Sequence, residues 1–438
     1  MFWCLKRQRY VFLFWGLLLV GACREEGIRL RRAEPVEMTA VPPVRHRSSP
    51  AQALLAMDLA APCLAGTQTV PSELAAAYRL IRRGGLLPAE NRLEKTLRLE
   101  TTGELVQPAI NLLGELLFYR QQWEQFLEYA PRYVGMIAND VPLAKAYRAY
   151  PPERRQWDEA PVTVPLRAGV TGAPQIEVAV GGKSEWFWLD TGTGITVLSQ
   201  RTARQLGVTT AGDETAEAAT ATSRKIVVRP AVIPRLEVGG ISLVHHRAVI
   251  VADEDLTFRF KRTPAEVRIR GILGWNFIRQ FAVAINVSRR EVILRRSEHT
   301  EQTGGNLFWL GYPVVQVRSP AGEVLYFGLD TGAESTVLSS DFAERHEGLS
   351  TGRRQRWRLT SAGGEQVVES AVLEDVSLRM ESWEITFSHI RTREIRSTEY
   401  IALDGILGAD LLRLGTVLID GPGGSLTLRP VRPVADGR

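Results

Sequence analysis

Two segments of the sequence align without a gap, and each begins with an aspartate. The first reads DTGTGITVLS at 190–199, and the second reads DTGAESTVLS at 330–339. Each aspartate follows an apolar run, so Asp190 and Asp330 are predicted to lie where a buried strand breaks into a turn. Carboxylates at matching positions of two related halves are candidates for paired acid and base chemistry.

The chemistry open to such a pair is general acid–base catalysis. Two carboxylates about 3 Å apart do not both ionise, because like charges repel, so they hold one proton between them. The ionised member removes a proton from a water molecule, and the protonated member donates to a carbonyl oxygen. We therefore expect Asp190 and Asp330 to hydrolyse a peptide bond with neither a metal nor another cofactor.

The residues that follow the two aspartates differ at one position that bears on the shared proton. Thr193 follows the first Asp-Thr-Gly, whereas Ala333 follows the second. Only the threonine hydroxyl donates a hydrogen bond, and a donor to the charged form lowers the pKa of a carboxyl group. The pattern predicts that Asp190 is ionised and that Asp330 carries the proton.

The duplication extends beyond the aspartates. Gly192 and Gly332 are expected to let the backbone turn tightly beside each carboxylate, where a side chain would crowd it. A second shared signature, Gly-Ile-Leu-Gly, occurs at 271–274 and again at 405–408, and it predicts a strand packed beneath each turn. A loop near 253–264 is expected to hold the extra residues of the first half.

These motifs resemble the retropepsin-like aspartic proteases of the gag-polyprotein type, with the unit duplicated in one chain. The resemblance implies one aspartate in each half, catalysis within a monomer, and an extended peptide or protein as substrate. It also implies that the hydroxyls of Thr191 and Thr331 bond across the two halves. An acidic residue at the position of Glu334 touches the substrate backbone in retroviral enzymes, and Gly194 replaces it in the first half.

A hairpin that covers the cleft is predicted at 361–365. Its sequence, Ser-Ala-Gly-Gly-Glu, lies between two alternating stretches, and Gly363 and Gly364 suit a tight turn with positive φ angles. We expect these glycines to contact substrate. The alternative is an ordinary surface hairpin. The counterpart at 221–225 lacks glycine, and neither tip carries the tyrosine of pepsin-type flaps.

Composition narrows the classes of function. The chain has 438 residues and a formal net charge of +5, with arginines scattered through both halves. No basic block is interleaved with aromatic residues, so we do not expect a nucleic-acid partner. His245 and His246 are adjacent, which would place them on opposite faces of a strand, and no third metal ligand is evident.

The N-terminal residues are typical of an exported protein. Basic residues precede an apolar stretch at 10–20, and Val-Gly-Ala-Cys at 20–23 resembles a bacterial lipobox. We expect 1–22 to be a signal peptide, Cys23 to carry lipid, and 23–50 to be a flexible tether. The protein would then be anchored in the bacterial cell envelope, facing the periplasm or exterior. An uncleaved anchor and an ordinary signal peptide are the alternatives.

Residues 51–150 have the apolar spacing of helices. Residues 112–131 loosely resemble one tetratricopeptide hairpin, but no second copy follows at a fixed period, so a generic helical bundle remains an alternative. This region is expected either to bind a protein partner or to brace the rest of the chain.

Beyond the prolines near 151–165, the sequence has the pattern of short β-strands. We predict a mainly β, bilobal protein with pseudo-twofold halves at 163–298 and 305–430, preceded by the small all-α domain. The predicted function is a membrane-anchored aspartic endopeptidase. The alternatives are a non-catalytic peptide-binding module of the same fold and a helical scaffold with a structural β domain.

Overall fold

Helices come first and strands follow in the computed structural model of the chain. It describes residues 27–33, 50–55, 57–59, 61, 64, 69–99, 102–169, 172–222, 224–259, 266–298, 305–346, 353–395 and 399–430. The predicted signal peptide, Cys23 and most of the predicted tether lie outside the described residues. Within those residues, no helix has both the length and the apolar character needed to span a bilayer.

The N-terminal part is helical, as predicted. In the described residues, a short strand, β1 (Ile28–Arg32), precedes six α-helices. They are α1 (Pro50–Leu55), α2 (Val70–Arg82), α3 (Leu86–Leu99), α4 (Val106–Tyr119), α5 (Trp123–Tyr129) and α6 (Val141–Arg148). Helix α2 begins after its N-cap residue Thr69, whose backbone amide donates to the Ser72 hydroxyl at 3.1 Å in the manner of a capping box. Its buried face holds Leu74, Tyr78 and Ile81, at the spacing expected of one helix stripe.

The first β-rich half is built from thirteen strands and two short helices. They are β2 (Arg154–Gln156), β3 (Val162–Ala168), β4 (Pro174–Val180), β5 (Lys183–Leu189), β6 (Thr196–Ser199), α7 (Gln200–Leu206), β7 (Ala216–Ala219), β8 (Lys225–Val238), β9 (Ile241–Val251), β10 (Thr257–Arg259), β11 (Glu266–Arg268), β12 (Gly271–Leu273), α8 (Trp275–Ile278), β13 (Ala282–Asn286) and β14 (Glu291–Arg295). Strands β10 and β11 pair only with each other, and the rest join one large sheet.

The second half repeats the arrangement. Its elements are β15 (Leu307–Trp309), β16 (Pro313–Arg318), β17 (Val324–Leu329), β18 (Val337–Ser339), α9 (Ser340–Arg345), β19 (Arg354–Ser361), β20 (Gly364–Met380), β21 (Trp383–Arg393), β22 (Gly405–Leu407), β23 (Gly415–Asp420) and β24 (Ser425–Pro430). In both halves the Gly-Ile-Leu strand, β12 or β22, lies parallel to the strand that leads into the aspartate, β5 or β17. The mainly β class with two β-rich halves is therefore confirmed.

The last two strands do not stay in the second half. Strand β23 pairs antiparallel with β13, with Ile419 opposite Val283, and β24 adds outside β23. The sheet order is β24-β23-β13-β14-β3-β4-β5-β12-β6-β9-β8-β7. Residues 415–430, assigned from the sequence to the second half, thus extend the sheet of the first half.

The expectation of a flexible tether is wrong for residues 28–32. These residues form β1, which pairs antiparallel with β21, with Leu30 opposite Ile385. Ile28 and Leu30 pack against the main hydrophobic core, and Arg31 donates to the buried carboxylate of Glu384 at 3.1 Å. Apolar and charged side chains alternate along this stretch, so that the edge strand has one apolar face and one charged face. Its arginine content alone would indicate a flexible spacer.

The helical region shares its core with the second half. One cluster of buried side chains runs from Leu74, Leu113 and Leu117 to Val314 and Tyr400. A separate cluster joins Tyr147 of α6 to Trp188 and Ile195 of the first half, and the Tyr147 hydroxyl donates to the carbonyl oxygen of Ala248 at 2.8 Å. The helices therefore pack on both halves.

Candidate active site

The two aspartates occupy equivalent positions in the two halves. Asp190 follows β5 and Asp330 follows β17, and both are 0% exposed. The amide of Asp190 donates to the carbonyl oxygen of Leu273 at 3.0 Å, and the amide of Asp330 donates to that of Leu407 at 2.9 Å. The Ile-Leu-Gly strands thus fix where each strand breaks into its turn.

The turns face each other so closely that each glycine touches the opposite aspartate. A Cβ atom on Gly192 would lie 2.5 Å from Cγ of Asp330, and one on Gly332 would lie 2.5 Å from Cγ of Asp190. The two carboxyl groups are within hydrogen-bonding reach of each other. Any side chain in place of either glycine would force the aspartates apart.

The threonines of the two motifs exchange hydrogen bonds across the halves. The hydroxyl of Thr191 donates to the carbonyl oxygen of Leu329 at 2.9 Å, and that of Thr331 donates to the carbonyl oxygen of Leu189 at 2.7 Å. Each hydroxyl also accepts the amide N–H of the other threonine at 3.0 Å. Four buried hydrogen bonds therefore hold the two turns in one geometry.

The first-half carboxylate has a side-chain donor. Oδ1 of Asp190 accepts the amide of Gly192 at 2.8 Å, and Oδ2 accepts the Thr193 hydroxyl at 2.8 Å. Burial raises the pKa of Asp190, and the Thr193 hydroxyl and the Gly192 amide oppose that rise. Donors on both oxygens favour the charged form of this group.

The second-half carboxylate has no counterpart of the Thr193 hydroxyl, because Ala333 stands at that position. Only Oδ1 of Asp330 accepts backbone amides, from Gly332 at 3.0 Å and Ala333 at 2.9 Å. Burial and then the charge of Asp190 hold the pKa of Asp330 well above its ordinary value. These shifts favour Asp330 as the carrier of the shared proton, and the assignment expected from Thr193 and Ala333 stays a prediction.

A buried polar side chain accepts a hydrogen bond from each of the loops that follow the aspartates. Asn276, which follows the first Ile-Leu-Gly signature, accepts the amide of Thr196 at 2.9 Å. Asp410, near the equivalent position in the second half, accepts the amide of Thr336 at 2.7 Å. These contacts fix the loops that carry the aspartates, as a preorganised site requires.

His246 supports the first of these loops and is 0% exposed. Its Nε2 lies 2.8 Å from the Thr196 hydroxyl, and its Nδ1 lies 2.9 Å from the carboxylate of Glu153. Burial alone would raise the pKa of Glu153, but His246 and the Gln280 amide lower it to about 2.

Among the described residues, no group of three or more His, Cys, Asp and Glu side chains could hold a metal ion.

Two residues near the dyad were missed by the sequence analysis. Tyr312 is 2% exposed, and burial followed by the charges of Asp330 and Asp190 raises the pKa of its phenol. Arg393 of β21 is near enough to Asp330 to oppose the rise in the pKa of that aspartate. No sequence pattern pointed to either residue; in the fold, Gly328 leaves room for Tyr312, since a Cβ atom there would lie 2.6 Å from Cε1 of Tyr312.

The predicted glycine hairpin is present, and its tip meets the hairpin of the other half. Gly363 and Gly364 have φ angles of +81° and +128°, at the turn between β19 and β20. The amide of Thr222, in the turn between β7 and β8, donates to the Ser361 hydroxyl at 3.1 Å. The Ser361 hydroxyl also lies 3.1 Å from that of Thr222. Ala362 is 0% exposed within the cluster that contains Trp188 and Ile195.

Glu334 and Gly194 lie at equivalent positions after the two Asp-Thr-Gly motifs, as the alignment of the two segments predicts. Glu334 is partly buried after the second Asp-Thr-Gly-Ala turn. Gly194 lines a pocket between the first half and the helices, together with Ile195. The substrate contact of Glu334 stays a prediction.

Comparison with protein families agrees with the geometry. The model of an aspartyl protease family matches residues 176–277 and 315–411. Each matched stretch holds one Asp-Thr-Gly and one Ile-Leu-Gly signature. No curated protein matches the chain. The two matches, one in each half, support an aspartic protease-like function.

Proposed function

We propose that the chain is an aspartic endopeptidase whose dyad is Asp190 and Asp330. The observation that carries this proposal is the pairing of two fully buried carboxyl groups from separate halves, within hydrogen-bonding reach of each other. Two buried like charges are costly unless they share a proton. A dyad that shares one proton is prepared for acid–base catalysis.

The mechanism assigns a separate task to each aspartate. Ionised Asp190 takes a proton from a water molecule between the carboxyl groups, and the resulting hydroxide attacks the peptide carbonyl carbon. Asp330 gives its proton to the carbonyl oxygen, which forms a neutral tetrahedral diol. Collapse of the diol breaks the C–N bond, with the proton held by Asp190 passing to the leaving amine, and one diol proton returns to the dyad.

The hairpins complete the site. Their tips meet through Thr222 and Ser361, and they must separate for a substrate to enter and close again to exclude water. An extended peptide would lie between these tips and the dyad and would pair its backbone with the hairpin strands. Gly363, Gly364 and Glu334 are the proposed contacts to its backbone.

Incubation of the purified protein with a peptide mixture tests the proposal. We expect cleavage products at acidic to neutral pH, and we expect Asp190→Asn and Asp330→Asn each to lower the rate by about 10³-fold or more. Cleavage that survives both substitutions would refute the dyad. Peptide binding without cleavage by the wild-type protein would instead support a non-catalytic binding module.

We further propose that the protein is lipid-anchored at Cys23 in a bacterial envelope. The basic and apolar N-terminal stretch and the lipobox-like Val-Gly-Ala-Cys support this proposal. Metabolic labelling with a fatty acid and membrane fractionation test it. The wild-type protein should be labelled and sediment with membranes, whereas Cys23→Ser should lose the label. An unlabelled wild-type protein would contradict the anchor.

A further inference from the structure

Tyr312 and Ala173 occupy equivalent positions in the two halves. Gly-Tyr-Pro at 311–313 leads into β16, and Gly-Ala-Pro at 172–174 leads into β4. The glycine of each tripeptide has a positive φ angle, +70° at 311 and +80° at 172. Strand β16 pairs antiparallel with β17, as β4 does with β5, and both β17 and β5 lead into one of the two aspartates. The same turn therefore precedes the same strand in each half, once with a phenol and once with a methyl group.

The residue that faces this position across the sheet also differs between the halves. Val314 of β16 pairs with Gly328 of β17. In the first half, Gln175 pairs with Trp188. The second half thus has a glycine where the first half has a tryptophan, two residues before the aspartate in each case. A Cβ atom on Gly328 would lie 2.6 Å from Cε1 of Tyr312, so the phenol ring occupies the space that a side chain at 328 would need.

This placement brings the phenol to the second aspartate. Successive residues of an extended strand point to opposite faces, so positions 328 and 330 share one face. The buried ring of Tyr312 covers the first of these positions, and its hydroxyl is within hydrogen-bonding reach of the Asp330 carboxyl group. Oδ1 of Asp330 accepts the amides of Gly332 and Ala333. Within the described part of the chain, Oδ2 is the oxygen that accepts no amide.

The surroundings of the phenol keep it protonated. Burial, and then the charges of Asp330 and Asp190, hold the pKa of Tyr312 well above its ordinary value. The charge of Arg393 acts in the opposite direction. A phenol of raised pKa retains its proton at every pH at which a carboxyl pair works, so Tyr312 is available as a hydrogen-bond donor.

Each aspartate then has one hydroxyl donor nearby, supplied from a different place in the two halves. In the first half the Thr193 hydroxyl donates to the aspartate at 2.8 Å, and Ala333 stands at that position in the second half. In the second half the Tyr312 hydroxyl faces the aspartate, and Ala173 stands at that position in the first half. The hydroxyl that the second motif lacks is thus replaced by one from the turn before β16.

A donor to the second aspartate has a chemical task in the proposed mechanism. Asp330 gives its proton to the carbonyl oxygen of the substrate and becomes a carboxylate. Burial and the charge of Asp190 hold the pKa of Asp330 well above its ordinary value, which makes this carboxyl group a weak acid. A hydroxyl that donates to the new carboxylate favours the charged form and so makes Asp330 a stronger acid.

We propose that Tyr312 is a positioning residue of the dyad, whose hydroxyl donates to the Asp330 carboxyl group and stabilises the carboxylate that forms when Asp330 gives up its proton. Tyr312 exchanges no proton with the substrate and acts through Asp330 alone. This inference rests on the proposed protease function. It gives the acid of the dyad a donor that lies outside the repeated motif.

Tyr312→Phe tests the proposal, because it removes the hydroxyl and keeps the ring. Loss of the donor makes Asp330 a weaker acid, so kcat should fall about tenfold or more while KM changes less than threefold. The pKa of Asp330 should rise, and the basic limb of the pH–rate profile should move upward with it. The acidic limb, which depends on Asp190, should stay in place. A wild-type kcat, or an unmoved basic limb, would overturn the proposal.

A second substitution separates hydrogen bonding from packing of the ring. Ala333→Thr in the Tyr312→Phe background places a hydroxyl at the position that Thr193 has in the first half. This double variant should regain part of kcat, and its basic limb should return toward the wild-type position. A limb that does not return would assign Tyr312 to packing alone and overturn the proposal.

Tyr147→Phe is the matched control. It also removes a buried phenol hydroxyl, one that donates to the carbonyl oxygen of Ala248 at 2.8 Å. This variant should lower the temperature of thermal unfolding and leave both limbs of the pH–rate profile in place. A basic limb that moves equally in Tyr147→Phe and Tyr312→Phe would show a general effect of lost stability and overturn the assignment.

Failure of the proposed function gives a different result. Cleavage that survives Asp330→Asn would overturn the protease itself. Loss of cleavage in Asp330→Asn, together with a wild-type kcat and pH–rate profile in Tyr312→Phe, would overturn only the role of Tyr312.

Discussion

The dyad is asymmetric at the level of a single residue. Asp190 accepts from the Thr193 hydroxyl, and Asp330 has no side-chain donor at the equivalent position because Ala333 stands there. The two aspartates therefore differ in proton affinity before any substrate binds. In the proposed mechanism, this difference makes Asp190 the base and Asp330 the acid.

Replacing Thr193 by alanine tests the assignment. Loss of the hydroxyl removes a donor to ionised Asp190 and so raises the pKa of its carboxyl group. The base is then protonated at a higher pH, and the acidic limb of the pH–rate profile should move upward. Thr193→Ser keeps a hydroxyl and should leave the limb in place. An unmoved limb in Thr193→Ala would show that the hydroxyl does not set the protonation state.

The sequence predicted the central residues of the site and missed its surroundings. Asp190, Asp330, Thr191 and Thr331 lie in one repeated motif, so a local pattern was enough to identify them. Tyr312 lies in the turn between β15 and β16, and only the fold brings it to the dyad. No local pattern encodes a contact between residues that are distant in the sequence.

At the scale of single elements, the positive φ angle of Gly363 and the closeness of the opposite hairpin constrain the tip of the glycine hairpin. A Cβ atom on Gly363, whose φ is +81°, would lie 2.9 Å from Cγ2 of Ile226. Gly363→Ala should therefore lower kcat/KM by roughly tenfold, because the tip can no longer reach the other hairpin.

A matched control separates tip contact from backbone strain. Gly322 has a φ of +88°, and nothing lies within 4 Å of its would-be Cβ atom. Gly322→Ala should cost about 1 kcal/mol of unfolding free energy and leave kcat/KM unchanged. Equal losses of activity in both variants would argue against a role of the hairpin tip.

The start of α6 carries a group that should make stability depend on pH. The pKa of Asp140 is raised from 3.8 to about 7 in the folded state. Between these values the folded chain binds more protons than the unfolded chain, so the free energy of unfolding falls as pH rises. Asp140→Asn should be more stable than the wild type at pH 8 by roughly 2–4 kcal/mol, and the difference should vanish near pH 4.

Urea unfolding at several pH values measures this effect. Asp213→Asn, which alters an exposed carboxylate, serves as the control and should follow the wild-type curve. A constant difference between Asp140→Asn and the wild type across pH 4–8 would contradict the assigned pKa.

Elements with strong periodicity were predictable, and edge elements were not. Helix α2 was evident from its caps and apolar stripe. Strand β1 was not, because its five residues hold three arginines and its order depends on β21. Short strands acquire their structure from a partner that periodicity does not reveal.

The whole molecule is tied together by strands that cross between the halves. Ile419 of β23 is 0% exposed and pairs with Val283 of the first half. Ile419→Ala should cost about 2–5 kcal/mol and lower the stability of both halves in one thermal transition. Arg429→Ala, an exposed change on β24, is the control and should have little effect.

Hydrogen exchange read separately in β4 and β16 checks this prediction. Protection should fall in both strands of the Ile419→Ala variant. Two resolved transitions, with only one half destabilised, would show that the halves unfold independently.

Residues 305–430 were predicted to form one half, because the sequence does not reveal which sheet edge its last strands join.

If Cys23 carries the proposed lipid anchor, the placement of β1 has a consequence for where the proposed protease acts. Only residues 24–27 separate Cys23 from Ile28, and even fully extended they span at most roughly 18 Å. With acyl chains on Cys23, the outer strand of the nine-stranded sheet would stand at the level of the lipid headgroups. Such a short connection between the lipid and β1 would fix the orientation of the cleft and restrict cleavage to polypeptides that pass close to the bilayer.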